Sequence, residues 1–217
     1  VLTATCTPDY LCPSTACIIS GNIGSHGAMA FDLNAACTGF VYGLDMAYGI
    51  LAAKPGAKVL LVGSEAFTRR LNWEDRTTCI LFGDGAGAVV LRAEEGAPVY
   101  MAAHSEGEKG AALTGLSRHR KGWDAVREDK ASYIQMDGQA VFKFAVRKVP
   151  EIIEAKRLKT DIEKFPMNLE EYANTSAATV PILLDEMNQK EMFRTGQKVM
   201  LCGFGAGLTW AACLFEW

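Results

Sequence analysis

The chain has 217 residues, of which 49% are hydrophobic, and its formal net charge at pH 7 is −3. This length allows one large or two small domains with a buried core, and the charge excludes an overall basic surface for nucleic acid. No apolar stretch approaches the length of a bilayer span and no charged-then-apolar leader is found, so we expect no membrane segment. The seven cysteines include no Cys-X-X-Cys pair, which favours reduced thiols and a cytoplasmic location over disulfides or a zinc site.

Short β-rich segments alternate with helical patterns along the chain, which predicts an α/β fold with helices covering a parallel or mixed sheet. Val1 reads as the middle of a strand, so we expect further residues upstream. The predicted strands are 1–5, 29–33, 58–64, 87–93, 98–105, 198–204 and 209–216. The predicted helices are 14–23, 38–53, 138–158 and 176–189.

Cys37 lies in the segment 31-FDLNAACTGF-40, between a predicted strand and the predicted helix 38–53. The small residues before it permit a tight turn into the helix. A helix N-terminus favours negative charge, so we expect a lowered pKa of the thiol and a reactive sulfur. On these residues alone, a buried structural cysteine is the alternative.

Two segments suggest an internal repeat. Both 82-FGDGAGAVVL-91 and 202-CGFGAGLTWAACL-214 read as a glycine-alternating turn that leads into an apolar strand, which modestly favours a duplicated architecture. The polar region 106–130 is predicted to be a solvated surface excursion. The alternative is a rim that recognises phosphate, because the region contains a basic cluster of Arg118, His119, Arg120 and Lys121.

Four segments in the same order resemble the β-ketoacyl-acyl-carrier-protein synthase III family of the thiolase superfamily. They are 31-FDLNAACTGF-40, 82-FGDGAGAVVL-91, 172-YANTSAATVP-181 and 203-GFGAGLTWAA-212. The resemblance implies a thiolase-like α/β fold of two similar halves in α-β-α-β-α layers, here residues 1–97 and 98–217, and a homodimer. It implies decarboxylative condensation of an acyl-CoA with malonyl-acyl-carrier protein, which starts fatty-acid synthesis, with no cofactor besides the coenzyme A thioester substrate and no metal.

The resemblance also implies roles for individual residues. Cys37 matches the nucleophile that accepts the acyl group as a thioester. Asn174 matches a group that stabilises the enolate formed by decarboxylation, although taken alone it reads as a helix N-cap ahead of Ser176. The backbone N–H groups of Cys37 and Ala206 match the oxyanion hole.

Further positions match the surfaces that bind the substrates. Arg76 matches a residue that stacks near the CoA adenine; its alternative is a surface charge paired with Glu74 or Asp75. Cys12 matches a residue that reaches into the partner's acyl pocket, where a small side chain predicts tolerance of longer or branched primers. Matches to the tunnel lining, each of which could also be plain core, are Leu81, Phe82, Met136, Gly138 and Phe204. Matches to the basic surface that docks the carrier protein are Lys143, Lys156 and Arg157.

The sequence departs from the family at the catalytic histidine. The family's His-Gln-Ala-Asn motif belongs between Glu154 and Ala155, and His26, His104 and His119 lie in other contexts. Either the sequence comes from a longer protein whose mobile segments are left out, or a deletion has made an inactive or purely structural protein. We favour the first, because losing a central strand would expose a large apolar face; an intact mass near 23.5 kDa would contradict it.

Two other functions stay open on the sequence. One is a related acyltransferase or secondary-metabolite synthase of the same superfamily, which product analysis with malonyl-carrier protein would distinguish. The other is a catalytically silent partner subunit, which would take up no acyl label at Cys37. Without the histidine, the chain is expected to acylate at Cys37 but to condense poorly.

Overall fold

In the computed structural model, residues 1–115, 133–153 and 164–217 are described, without the side chains of 149–153. The strands are β1 (Leu2–Ala4), β2 (Phe31–Leu33), β3 (Lys58–Ala66), β4 (Asp84–Arg92), β5 (Tyr100–Ser105), β6 (Leu113–Thr114), β7 (Gln135–Met136), β8 (Lys198–Gly205) and β9 (Thr209–Glu216). The α-helices are α1 (Thr15–Asn22), α2 (Gly39–Ala53), α3 (Gly138–Ile153), α4 (Leu169–Tyr172) and α5 (Thr179–Gln189). Two 3₁₀ turns precede helices and are called here the first turn (Ala36–Thr38) and the second turn (Ser176–Ala178).

The predicted strands and helices are confirmed within the described residues, with shifted ends. The predicted helix 138–158 is described as far as Ile153, and its remainder lies outside the described residues. The segment 82–91 was expected to hold a glycine turn, and this expectation is wrong. Gly85 and Gly87 lie within β4, where they pair with Glu65 and Gly63 of β3, so β4 begins at Asp84.

The strands form two larger sheets and one short ribbon. The first sheet has the order β2-β1-β3-β4, with β1 parallel to both of its neighbours and β4 antiparallel to β3. The second sheet has the order β5-β9-β8 and is antiparallel throughout. The strands β6 and β7 pair separately. This mixed α/β arrangement agrees with the predicted fold class.

Helices α2 and α5 lie between the two sheets. On α2, Phe40, Ala47 and Leu51 pack with Leu2 and Leu61 of the first sheet. From the same helix, Val41 packs with residues of the second sheet, namely Leu201, Ala211 and Cys213. Val180 and Leu184 of α5 contact both groups. Since a helix that is apolar on opposite faces needs cover on both, the two sheets enclose this helical layer.

The stretch Ala36–Ala53 is long and apolar enough to cross a membrane by length and composition. The expectation that no stretch approaches such a length is therefore wrong. In this fold 44% of the stretch is buried, and its apolar residues contact the two sheets. The stretch Ala36–Ala53 is therefore part of the core of this fold.

The same order of elements occurs twice. The first turn, α2, β3 and β4 are followed later in the chain by the second turn, α5, β8 and β9. Both sets run from a 3₁₀ turn into a helix and then into an antiparallel strand pair. The glycine segments that suggested a repeat are not equivalent, because Gly85 lies in the second strand of its pair and Gly205 in the first.

Helix α3 is tied to the second sheet by a charged network and an aromatic cluster. Glu106 contacts Lys109, Arg147 and Lys148 at 2.5, 2.8 and 3.2 Å. Lys148 Nζ also lies 4.3 Å from the ring centre of Trp210, and Phe144 packs edge-on against the same ring. The cations, Lys109 first, lower the pKa of Glu106 to about 2.

Candidate active site

Cys37 lies in the first turn, immediately before α2 begins at Gly39. The turn is entered through Ala36, whose φ of 48° is in the left-handed region. The Asn34 side chain supports this entry by accepting the N–H of Ala36 at 3.3 Å. A small side chain suits this backbone conformation, because a larger Cβ substituent would crowd it. The sharp bend places Cys37 at the start of the helical segment, as expected.

Asn174 precedes the second turn in the same way that Asn34 precedes the first. Its Oδ1 accepts the N–H of Ser176 at 2.9 Å, and Ser176 has a φ of 53°. Asn174 therefore closes an Asx-type turn at the entry to the second turn, whose N-cap position is Thr175 rather than Asn174. Its Nδ2 makes no hydrogen bond within the described part of the chain, so the amide donors stay available for another group.

The two turns pack against each other and against the strand ends. A Cβ on Gly39 would lie 3.5 Å from Cβ of Ala177 in the second turn. The hydroxyl oxygens of Thr38 and Thr209 are 2.7 Å apart, which joins the first turn to the start of β9. Thr209 also donates to the carbonyl oxygen of Ala35 at 3.3 Å. These contacts bring Cys37, the candidate nucleophile, and Asn174, the candidate for enolate stabilisation, into one region of the fold.

The glycine-rich connection between β8 and β9 lies beside the first turn. A Cβ on Gly205 would meet the carbonyl oxygen of Ala35 and the hydroxyl of Thr38, each at 2.8 Å. Ala206 follows directly, and no backbone acceptor binds its N–H among the described residues. An N–H without a backbone acceptor next to the first turn has the chemistry that an oxyanion hole requires.

The pKa of Cys37 is raised rather than lowered, so the expectation of a depressed value is wrong. Burial is the main cause, and the nearby Glu65 also raises it. The Ser176 side chain and the backbone N–H of Cys37 act in the opposite direction, but burial outweighs them. At rest the sulfur therefore carries its proton.

Glu65 is a buried acid at this site that the sequence reasoning missed. It is 4% exposed and lies at the end of β3, where it accepts the N–H of Cys6 at 3.1 Å and the hydroxyl of Thr7 at 2.6 Å. Burial raises its pKa. The available signal was the alternation of β3, since Val59, Leu61 and position 65 point to the same covered face.

Most of the expected tunnel positions form one apolar cluster. Leu81, Phe82 and Met136 pack around Phe67, Leu71 and Ile134, together with Cys6. Gly138 adjoins it, since a Cβ there would lie 3.8 Å from Met136 Cε. Phe82 is also bridged to Asn174. Phe204 is not part of this cluster and packs with Phe144, Leu208 and Trp210 instead.

The expected substrate-contact residues lie at the surface. Arg76 is exposed and forms no ion pair in the described portion, so it is not paired with Glu74 or Asp75. Lys143 is exposed on α3, and Cys12 is exposed beside Leu11. Lys156, Arg157, the Glu154–Ala155 junction and the basic cluster 118–121 lie outside the described residues.

Among the residues that the structure describes, no group of three or more His, Cys, Asp or Glu side chains could hold a metal ion. His104 belongs to β5, where its ring lies 5.4 Å from that of Trp210. His26 forms a backbone contact with Gly24 in the loop after α1. Within the described part of the chain, neither histidine is hydrogen-bonded to the first or the second turn.

Comparison with known proteins gives one consistent family. The family of 3-oxoacyl-[acyl-carrier-protein] synthase III matches residues 31–107, and its C-terminal part matches residues 147–217. A β-ketoacyl-[acyl-carrier-protein] synthase III from Nitratidesulfovibrio vulgaris is 47% identical, over 100% of this chain and 75% of the relative. One from Clostridium tetani is 40% identical, over 100% and 77%. A crystal structure of the Aquifex aeolicus enzyme superimposes with a TM-score of 0.89 at 32% identity, covering 100% of this chain and 76% of that one.

The alignments also show that relatives hold internal residues that this chain lacks. The N. vulgaris match spans 251 positions and covers all 217 residues, so 251 − 217 = 34 positions are occupied by the relative alone. This supports the expectation of an internal gap relative to the family.

Proposed function

Because this chain belongs to the 3-oxoacyl-[acyl-carrier-protein] synthase III family, we propose that it condenses an acyl-CoA primer with malonyl-acyl-carrier protein and so starts fatty-acid synthesis. The observation that carries the proposal is the pair of matched turns, one with Cys37 and the other preceded by Asn174, packed together between the sheets. The related acyltransferase or secondary-metabolite activity is not favoured, because the relatives at 47% and 40% identity are β-ketoacyl synthases III by name.

In the first half-reaction, Cys37 Sγ attacks the thioester carbonyl carbon of the acyl-CoA. The new S–C bond replaces the bond to the coenzyme A sulfur, which leaves as a thiol with the proton that Cys37 gave up. The N–H groups of Cys37 and Ala206 are proposed to bind the oxyanion that forms on the carbonyl oxygen. The N–H of Ala206 lies beside the first turn and has no backbone acceptor in the described part of the chain, which supports this assignment.

In the second half-reaction, malonyl-carrier protein loses carbon dioxide and becomes an enolate. The enolate carbon attacks the acyl carbonyl, and the Cys37 sulfur leaves. Asn174 is proposed to stabilise the enolate oxygen through Nδ2, which is supported by the engagement of Oδ1 with the second turn. Since the family's histidine has no counterpart at the expected place in this sequence, we expect the 217-residue chain to acylate well and to condense poorly.

The substrates are proposed to meet the site from two sides. The acyl chain would enter the apolar cluster around Phe82, whose members include Leu81 and Met136, near Gly138. Arg76 is proposed to contact the CoA adenine, and its exposed side chain, which forms no ion pair with any described residue, supports this. Lys143, with Lys156 and Arg157, is proposed to attract the acidic carrier protein.

We further propose a cytoplasmic homodimer whose reaction needs no cofactor other than the coenzyme A thioester. The outer edge of β2 is unpaired within the described sheets, and Leu11, next to Cys12, is 88% exposed. A second copy that covers this edge would bring Cys12 towards its acyl pocket. The halves are proposed to divide at residues 97 and 98, between the two sheets.

Intact-mass spectrometry with acetyl-CoA tests the first half-reaction directly. Wild-type chain should gain one acetyl group, and Cys37→Ala should gain none. Cys17→Ala, which removes an exposed thiol, is the matched control and should acylate normally. Lack of any gain in wild type would favour the silent partner subunit. A panel of longer and branched acyl-CoAs then tests Cys12, and strict preference for acetyl-CoA would contradict its assigned role.

A further inference from the structure

Thr209 carries a buried hydroxyl that is bonded to both of the segments proposed to form the oxyanion hole. Its Oγ1 lies 2.7 Å from the Thr38 hydroxyl oxygen and donates to the Ala35 carbonyl oxygen at 3.3 Å, both in or beside the first turn. The same hydroxyl donates to the carbonyl oxygen of Ala206 at 3.3 Å, in the loop between β8 and β9. Thr209 is 9% exposed and Thr38 is fully buried, so these hydrogen bonds are shielded from water.

The number of hydrogens fixes the direction of this hydrogen-bond chain. A hydroxyl has a single hydrogen and two acceptor lone pairs. Because the Thr209 hydrogen is shared between the carbonyl oxygens of Ala35 and Ala206, we assign Thr38 as the donor in the pair of hydroxyls. The chain therefore runs from Thr38 to Thr209 and ends on one carbonyl group of each segment. It is called here the threonine bridge.

Glycines in β8 leave the space that the threonine bridge occupies. A Cβ on Gly205 would lie 2.8 Å from three oxygens, which are the hydroxyls of Thr38 and Thr209 and the carbonyl of Ala35. A Cβ on Gly203 would lie 3.0 Å from the Cα of Thr38. The first turn therefore lies directly on the end of β8, and any side chain at position 205 would displace the bridge.

We propose that Thr209 is a positioning residue for acylation, which holds the N–H groups of Cys37 and Ala206 in the relative placement that the oxyanion requires. This inference rests on the acyl transfer to Cys37 proposed above. The threonine bridge encloses the nucleophile in the sequence, because Ala35 lies two residues before Cys37 and Thr38 directly after it. At its other end the bridge holds Ala206 itself. Thr209 thus acts through two backbone segments.

Two N–H donors on separate segments stabilise an oxyanion well only when both are in place before the reaction. As the thioester carbonyl carbon becomes tetrahedral, its oxygen gains negative charge, and fixed donors stabilise this charge without reorganising. Thr38 and Thr209 are 171 positions apart in the sequence, so local backbone geometry does not set the placement of their segments. The threonine bridge supplies a direct bond between the two segments.

Single-turnover acetylation over a range of acetyl-CoA concentrations, followed by intact-mass spectrometry, tests the bridge. Thr209→Val removes the hydroxyl and keeps the shape of the side chain. Loss of one oxyanion-hole donor slows a reaction by about 100- to 1,000-fold, whereas here both donors remain and are only displaced. We therefore expect the maximal rate to fall about tenfold and the half-saturating concentration to stay unchanged. Thr209→Ser, which restores the hydroxyl, should recover the wild-type rate.

Alkylation of Cys37 by iodoacetamide separates the placement of the donors from a general loosening of the site. This reaction displaces iodide from a saturated carbon, so no oxyanion forms and no oxyanion hole is needed. Thr209→Val should therefore be alkylated at the wild-type rate although it acetylates slowly. Thr38→Val, which breaks the bridge at its first hydrogen bond, should show the same split and is the second variant if Thr209→Val does not fold.

Thr3→Val is the matched control, because Thr3 is also a fully buried threonine in a strand, and it should acetylate like wild type. A Thr209→Val chain that acetylates at the wild-type rate would overturn the positioning role. So would an equal slowing of acetylation and alkylation, or a failure of Thr209→Ser to restore the rate. If wild type itself forms no acyl-Cys37, the proposed function fails, and this inference fails with it.

Discussion

Gly63 is the position where a single methyl group should disturb the site most. It lies in β3, paired with Gly87 of β4 and Ala4 of β1, and the second turn crosses directly over it. In Gly63→Ala the new Cβ would be 2.2 Å from the Ala177 carbonyl oxygen and 2.8 Å from its carbon. Cβ atoms essentially never make contacts below 3.0 Å, so the turn must withdraw by at least 0.8 Å (3.0 − 2.2 Å).

The expected loss of stability follows from the kind of atoms that collide. Overpacking a core usually lowers the free energy of unfolding by about 1–3 kcal/mol, and flexible side chains account for the smaller losses. Here both partners are backbone atoms held by sheet pairing and by a turn. We therefore expect Gly63→Ala to lose about 3 kcal/mol. Because the second turn also packs against Gly39, two residues after Cys37, acetylation of Cys37 should slow as well.

Urea denaturation of wild type, Gly63→Ala and a control with the same substitution measures this loss. Gly49→Ala is the control, since Gly49 lies on the exposed face of α2 and a Cβ added there would have no other atom within 4 Å. Alanine is favoured over glycine inside a helix, so the control should gain up to about 1 kcal/mol. A Gly63→Ala chain with wild-type stability and normal acetylation would refute the close packing of the second turn on β3.

Three further outcomes are expected. The Glu106 carboxylate should add to the free energy of unfolding of wild type above its unfolded pKa near 4.5, and this contribution should be lost as pH falls towards the folded pKa of about 2. Glu106→Gln lacks the contribution at every pH. The acid unfolding curves of the two chains should therefore converge between pH 4.5 and pH 2. Thr209→Val should lower the free energy of unfolding by about 1 kcal/mol, by breaking the hydrogen bond to Thr38, and a wild-type urea midpoint would contradict this. At pH 7, iodoacetamide should label the exposed Cys12 faster than the half-buried Cys37, whose thiol pKa is raised; peptide mass spectrometry gives the order, and faster labelling of Cys37 would contradict it.

The positions of Cys37 and Asn174 in the candidate site were predictable from the sequence, but the electrostatics of the site were not. The position of Cys37 between a strand and a helix follows from local pattern, and so does the turn chemistry of Asn174. The direction of the Cys37 pKa shift does not, because it depends on burial and on Glu65, which lies 28 positions further along the chain. A sequence pattern shows the helix N-terminus but not what covers it.

The sequence by itself determined where the longer strands and helices lie, because the periodicity of apolar residues and the glycine and proline breaks act over a few neighbouring positions. The short elements Leu113–Thr114, Gln135–Met136 and Leu169–Tyr172 were not predicted. The tertiary structure decided which strands pair, and so turned the glycines of 82–91 from an expected turn into part of β4. It also decided that two distant turns meet and that Glu65 is buried at the end of β3. These are contacts between residues far apart in the chain, and they depend on the packing of α2 and α5 between two sheets.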